Sequence, residues 1–289
     1  MPLSPPRRAR IALIGAAIGV VLLAVTWYVS HYVGFVRRAD VNILLGFAQL
    51  NRPRLDRLTQ FIATLCDPQR YVFLALIPVA LALARRRFRV AAMIAVVLLC
   101  ANETTQLLKP LLVAPRDPVS WSPIGEASWP SGHATASMTL ALCTVIAAPP
   151  RWRPAVAAAM VAFALAVCYS FLELGWHYPS DVFGGFLVAA TWTLLGIAGL
   201  SLYEARVGVR TPPARQLSPP VSVSVGRALA PMGALLGAVA ACIGLVVLAR
   251  PQPVIDYARG HEWFVVGAAA IGVLGLMIAS GLTLMLRRG

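Results

Sequence analysis

The chain of 289 residues is 59% hydrophobic and 12% charged, about half the charged share of an ordinary soluble domain, which excludes an aqueous globular fold and points to a bilayer. Its formal net charge of +14 invites a nucleic-acid partner. The arginines, however, stand in short groups between apolar runs, with no basic face or reading motif to lay against a phosphate backbone. Nucleic acid is therefore not an expected partner, and membrane orientation accounts for the charge.

Runs apolar enough to cross about 30 Å of hydrocarbon fall at 11–33, 90–108, 134–150, 154–174, 182–203, 228–249 and 263–286. A shorter eighth run, 71–84, lies between Arg70 and the triplet Arg85, Arg86 and Arg87, whose long stems can reach toward headgroups. Arg7, Arg8 and Arg10 precede the first run as they would in a signal peptide. The run is too long for one and no small-x-small site closes it, which predicts an uncleaved helix over the segment 1–33. Segment 34–70 carries two sets of apolar residues at helical spacing: Val41, Leu44, Leu45 and Ala48, then Leu58, Phe61, Ile62 and Leu65. Pro53 separates the sets, and Arg37, Arg38, Arg52, Arg54 and Arg57 take the other faces, a pattern that predicts two interfacial amphipathic helices. They are either a platform that guides anionic headgroups or a connector that touches them.

Segment 71–203 supplies the remaining five spans of a catalytic core. Segment 204–226, with Pro212-Pro213 and Pro219-Pro220, reads as an inner linker that cannot be helical. Two further spans in 227–289 hold no motif. The expected fold is an all-α polytopic membrane bundle, a six-span core plus two C-terminal spans. With both termini cytoplasmic, most of the arginines fall inside, as positive-inside orientation requires. The expected place is a bacterial inner membrane, with the polar clusters on the outer face. The five cysteines are an odd set without metal-ligand spacing, so neither a disulfide nor a metal or other cofactor is expected. Oligomeric state is not legible.

Three polar clusters interrupt the apolar chain. The first joins Lys109, the single lysine beside 24 arginines, to Arg116 across a stretch stiffened by Pro110 and Pro115. The two cations can converge on one anion, or sit separately at the interface. The second, Pro130-Ser131-Gly132-His133, stands where an apolar helix begins. Ser131 suits an N-cap, Gly132 lets a backbone approach an oxyanion, and the free amides of the first turn make an anion cradle. In the third, His177 precedes Asp181 by four residues across Pro179 and Ser180, a spacing that can set the carboxylate on one ring nitrogen and leave the other free to attack phosphorus. Glu103, with Asn102, Thr104, Thr105 and Gln106, makes one helix end polar. It is either a headgroup contact or a water-exposed last turn. His31 and His261 lack an acidic or serine partner at motif spacing and read as interfacial polar residues.

The order and spacing of the three clusters resemble the type 2 phosphatidic acid phosphatase superfamily, membrane lipid phosphatases related to vanadium haloperoxidases. The family's first motif, Lys, six residues, Arg-Pro, appears as Lys109 to Arg116 with the proline displaced to Pro118. The second, Pro-Ser-Gly-His, is complete at Pro130 to His133. The third, Ser-Arg, five residues, His, three residues, Asp, runs Ser170, Phe171, His177, Asp181. The resemblance implies His177 as nucleophile, Asp181 orienting it, His133 as acid and then base, and Lys109, Arg116, Ser131 and Gly132 on the phosphate oxygens of a lipid phosphate substrate. Phe171 replaces a cation of the family pattern, and Glu173 adds negative charge nearby. These two departures, together with Glu103, mark where a different headgroup would be recognised. They also keep open a lipid-linked phosphotransferase using the same intermediate, and a nonenzymatic lipid-binding or transport protein on a decayed site.

Overall fold

The structure, a computed structural model, describes residues 4–50, 54–116, 119–207 and 225–287. Arg52 and the proline breaks expected at Pro53, Pro118, Pro212-Pro213 and Pro219-Pro220 lie outside these residues. Among the described residues there are eleven α-helices and no strand: α1 (Pro5–Tyr32), α2 (Gly34–Ala48), α3 (Asp56–Ala63), α4 (Pro68–Ala84), α5 (Phe88–Leu111), α6 (Gly132–Ala147), α7 (Arg153–Glu173), α8 (Pro179–Arg206), α9 (Val225–Ala249), α10 (Pro251–Gly260) and α11 (Glu262–Arg287). A chain of this hydropathy that satisfies its backbone bonds within helices is what hydrocarbon demands.

Among the described residues six helices are long and apolar enough to cross a membrane: α1, α5, α7, α8, α11 and residues 229–249 of α9. The runs expected at 71–84 and 134–150 give α4 and α6, of 17 and 16 residues. At 1.5 Å per residue α6 is about 24 Å long, shorter than the hydrocarbon layer. Its position explains the short length. It is the innermost helix, buried on nearly all sides between α5, α7 and α8, so protein rather than lipid surrounds it. Its last carbonyls have no intrahelical partner, and the guanidiniums of Arg85 and Arg87 donate to Ala147 O at 2.6 Å and Ile146 O at 3.0 Å. These two arginines therefore close a helix end rather than reaching for headgroups.

Small residues let the outer helices approach this centre. A Cβ on Gly19 of α1 would lie 2.4 Å from Thr191 Oγ1 of α8, and α1 with α8 forms the most extensive helix pair. The two amphipathic helices expected in 34–70 are α2 and α3. After α3 a short 3-10 turn, Thr64–Cys66, leads to Asp67, and the chain then bends by 63° into α4. The trailing helices close on α2 and α7. Tyr169 donates to Ala268 O at 2.7 Å, Phe264 fills the space above Gly46 and Ile43 that above Gly267. Helix α10, amphipathic and ten residues long, lies in a connector where no element was expected.

Candidate active site

Two backbone features join the second and third clusters. Gly184 and Gly185 in the first turns of α8 face the turn before α6: a Cβ on Gly185 would stand 2.7 Å from Ser131 O and Ala134 Cβ, and one on Gly184 would stand 2.8 Å from Trp129. Only glycine allows this approach, and through it Ser131 N donates to Asp181 O at 3.0 Å. Ser131 is the N-cap of α6, its Oγ accepting from Ala134 N at 3.3 Å, and Thr135 Oγ1 holds Ser131 O at 2.9 Å. The amides of Gly132 and His133 donate to no described residue, leaving two donors at a positive helix end.

His133 and His177 come together with ring centroids 6.3 Å apart. His177 Nδ1 meets Asp181 Oδ2 at 3.1 Å, and the same oxygen accepts from Tyr178 N at 3.1 Å. The carboxylate, fully buried, thus fixes the ring and leaves Nε2 clear. His133 Nε2 lies 2.8 Å from Asp67 Oδ1. Phe171 is wholly buried against both imidazoles, with centroids at 5.9 Å to His133 and 5.3 Å to His177. An apolar ring therefore stands where the sequence pattern led one to look for a cation.

Arg116 is the most heavily engaged side chain here. Nε donates to His31 Nε2 at 3.0 Å, one terminal nitrogen lies 2.8 Å from Asp181 Oδ1, the other 3.3 Å from Ser180 Oγ, and the guanidinium covers the Tyr178 ring at 4.7 Å. The Asp181 contact is an ion pair outside hydrogen-bond geometry, since neither atom has a properly directed partner. Because Arg116 Nε can only donate, His31 must carry its proton on Nδ1, which donates to Trp27 O at 2.7 Å. His31 is thus a buried support of the site, correcting its reading as an interfacial residue. Lys109, half-buried in the last turn of α5, makes no hydrogen bond to a described residue and feels the fields of Asp181 and His133.

Two expected contacts fall away from this centre. Glu103 is exposed, while its neighbours Thr104 and Thr105 bond Trp192 and Thr135 across the bundle. Glu173 lies close to Thr59 and Asp56 of α3, so its charge is directed to the amphipathic segment. Two further residues went unnoticed in the sequence. Asp40 of α2 is buried and accepts from Ser180 N at 3.0 Å and from the Ser180 hydroxyl, capping the first turn of α8 from another helix. Burial pushes its carboxyl up to about 6, with Arg116 and Ser180 pulling the other way. A signal for it existed, since Asp40 shares the apolar face of α2 with Leu44 and Phe47. Asp67, directly before Pro68, carries the usual mark of a helix start and nothing local that points to a histidine.

The fold and the site define a membrane helical bundle with two histidines paired at one end. Residues 90–201 match the model of the PAP2 superfamily, so the resemblance carried by the three clusters is borne out over the core of the chain. The fold is similar to the crystal structure of the first transmembrane PAP2 type phosphatidylglycerolphosphate phosphatase from Bacillus subtilis, with a TM-score of 0.54 and 20% identity over 66% of this chain and 96% of that one. No curated protein matches. The two matches support a multi-pass membrane helical fold of the PAP2 type.

Proposed function

We propose that the protein hydrolyses a lipid phosphate or diphosphate, of the polyprenyl or phosphatidate type, through a phosphohistidine intermediate, at the outer face of a bacterial inner membrane. The observation that carries this reading is the pair of imidazoles at 6.3 Å, wide enough for a phosphoryl group between them, with one nitrogen of His177 held by Asp181. In the first step His177 Nε2 forms the N–P bond as the P–O bond to the lipid breaks, and the leaving oxygen takes a proton from His133. In the second, water attacks phosphorus, its proton passes to His133, and phosphate leaves. Lys109, Arg116 and the amides of Gly132 and His133 stabilise the charge spread over the equatorial oxygens.

The chain purified in detergent is expected to release inorganic phosphate from a lipid phosphate and to be inhibited by vanadate, which mimics the five-coordinate phosphorus. Absence of release across a panel of lipid monophosphates and diphosphates overturns the reading. A second reading, transfer of the phosphoryl group to a lipid or sugar hydroxyl, is favoured by Phe171, whose buried ring beside both imidazoles removes one cation and limits water. The two readings separate on Phe171→Arg. A phosphatase short of one clamp gains turnover severalfold, whereas a transferase loses label transfer to its acceptor.

A further inference from the structure

The chain holds a second His–Asp pair, made across the fold, that no motif contains. Asp67 ends the turn between α3 and α4 and is the N-cap residue of α4, yet its side chain caps nothing. An N-cap aspartate ordinarily accepts from the first-turn amides. Here the carboxylate turns away to His133 Nε2, at 2.8 Å and 66 residues distant in sequence. His133 is held from other sides by Phe171 at 5.9 Å and Trp176 at 5.8 Å, so the ring is fixed in orientation, and no described residue bonds its Nδ1. His177 and Lys109 are the other charged or titratable groups acting on it, both adverse to a second positive charge.

We propose that Asp67 is the positioning residue of His133: it accepts the Nε2 proton, stabilises the imidazolium against His177 and Lys109, and aims Nδ1–H at the leaving oxygen. This rests on the reading of His133 as the acid. The balance is simple. As the phosphorus–oxygen bond breaks, the Nδ1 proton passes to the lipid oxygen and His133 becomes neutral, still donating Nε2–H to Asp67, which stays ionised throughout. In the second half-reaction the same Nδ1 accepts a proton from water. The two dyads therefore work in opposite senses. Asp181 stabilises the positive charge that His177 gains on attack, and Asp67 stabilises the positive charge that His133 must hold beforehand.

Leaving-group dependence separates this role from a structural one. An alkyl phosphate departs as a basic alkoxide that needs the proton, whereas p-nitrophenyl phosphate departs as a stable phenolate that does not. Asp67→Asn is expected to lower kcat/KM, which reports the step that expels the leaving group, by about 10- to 100-fold on a long-chain alkyl phosphate, up to the lower end of what a positioned general acid contributes, and by less than about threefold on p-nitrophenyl phosphate. Asp67→Glu restores part of the loss. Equal losses on both substrates overturn the proposal. A measurement independent of turnover uses the full chain in detergent with 15N-labelled histidine, where the four histidines are assigned by substitution. Asp67→Asn should lower the titration midpoint of His133 by about one pH unit and move that of His177 less. An unchanged His133 midpoint overturns the pairing. If the wild-type chain cleaves neither probe, the phosphatase reading falls while the titration still decides whether Asp67 serves His133.

Discussion

The two ends of the bundle use charged side chains for opposite purposes. At the histidine end, carboxylates from separate helices each take one face of a polar group and leave another open: Asp181 on His177, Asp67 on His133, Asp40 on Ser180. At the other end arginines satisfy groups completely. Arg85 and Arg87 close α6, Arg153 donates to Leu286 O of α11 at 3.1 Å, and Arg8 binds Ser201 and Glu204 of α8. A backbone carbonyl at a helix end needs only a donor, and a flexible arginine supplies it from a neighbouring element. A reacting imidazole needs one nitrogen fixed and one free, and that demands a short acidic side chain on a rigid turn. The first arrangement serves stability, and the second suits the proposed chemistry.

The comparison can be broken at either end. The largest effect belongs to His177→Ala, which removes the proposed nucleophile: phosphate release should fall by about 10,000-fold or more with the melting temperature nearly unchanged. A loss of only a few-fold would end the covalent mechanism. Gly185→Ala comes next, because a methyl 2.7 Å from Ser131 O and Ala134 Cβ must push α8 from α6. The expected cost is about 2 to 3 kcal/mol of stability, and activity should fall with it as the Ser131–Asp181 bond opens. That outcome, read by thermal unfolding alongside phosphate release, sharpens the contrast, since stability and chemistry meet at this one contact.

Asp40 gives a pH signature. Its carboxyl is raised from 3.8 to about 6 by burial, so the folded state binds a proton that the unfolded state releases. The corresponding stability is present in full below about pH 4 and is lost as the pH rises through about 6, a change of about 3 kcal/mol. Asp40→Asn removes this component. The melting temperature of the wild type relative to the variant should therefore decline between pH 4 and pH 7, and a constant difference would show that Asp40 stays ionised. The smallest effect is that of Arg87→Ala, which strips one charged donor from Ile146 O. It should cost about 1 to 2 kcal/mol in thermal unfolding and leave turnover per folded molecule intact. A selective loss of turnover would erase the distinction between the two ends.

Some of this was legible before any coordinates. Apolar runs set the helices, because hydrocarbon tolerates no unpaired backbone and a helix pairs its own. His177 with Asp181 was legible for a local reason, since four residues across a proline turn bring the side chains together whatever the rest of the chain does. Ser131 as N-cap was legible in the same way. Hydropathy alone does not say what surrounds a run. The run 134–150 gives α6, a 16-residue helix that is covered by other helices rather than by lipid, which only the packing reveals.

What the sequence by itself determined is the class of molecule, an all-helical membrane bundle, and the local pieces of its site, each a motif within a few residues. Tertiary structure alone decided which pieces meet: Asp67 with His133, Asp40 with Ser180, His31 with Arg116, Phe171 against both imidazoles. The physical reason is that these contacts depend on a 63° bend, on helices brought close by Gly184 and Gly185, and on buried partners tens of residues apart. No periodicity records such distances, because each is a property of packing rather than of any one segment.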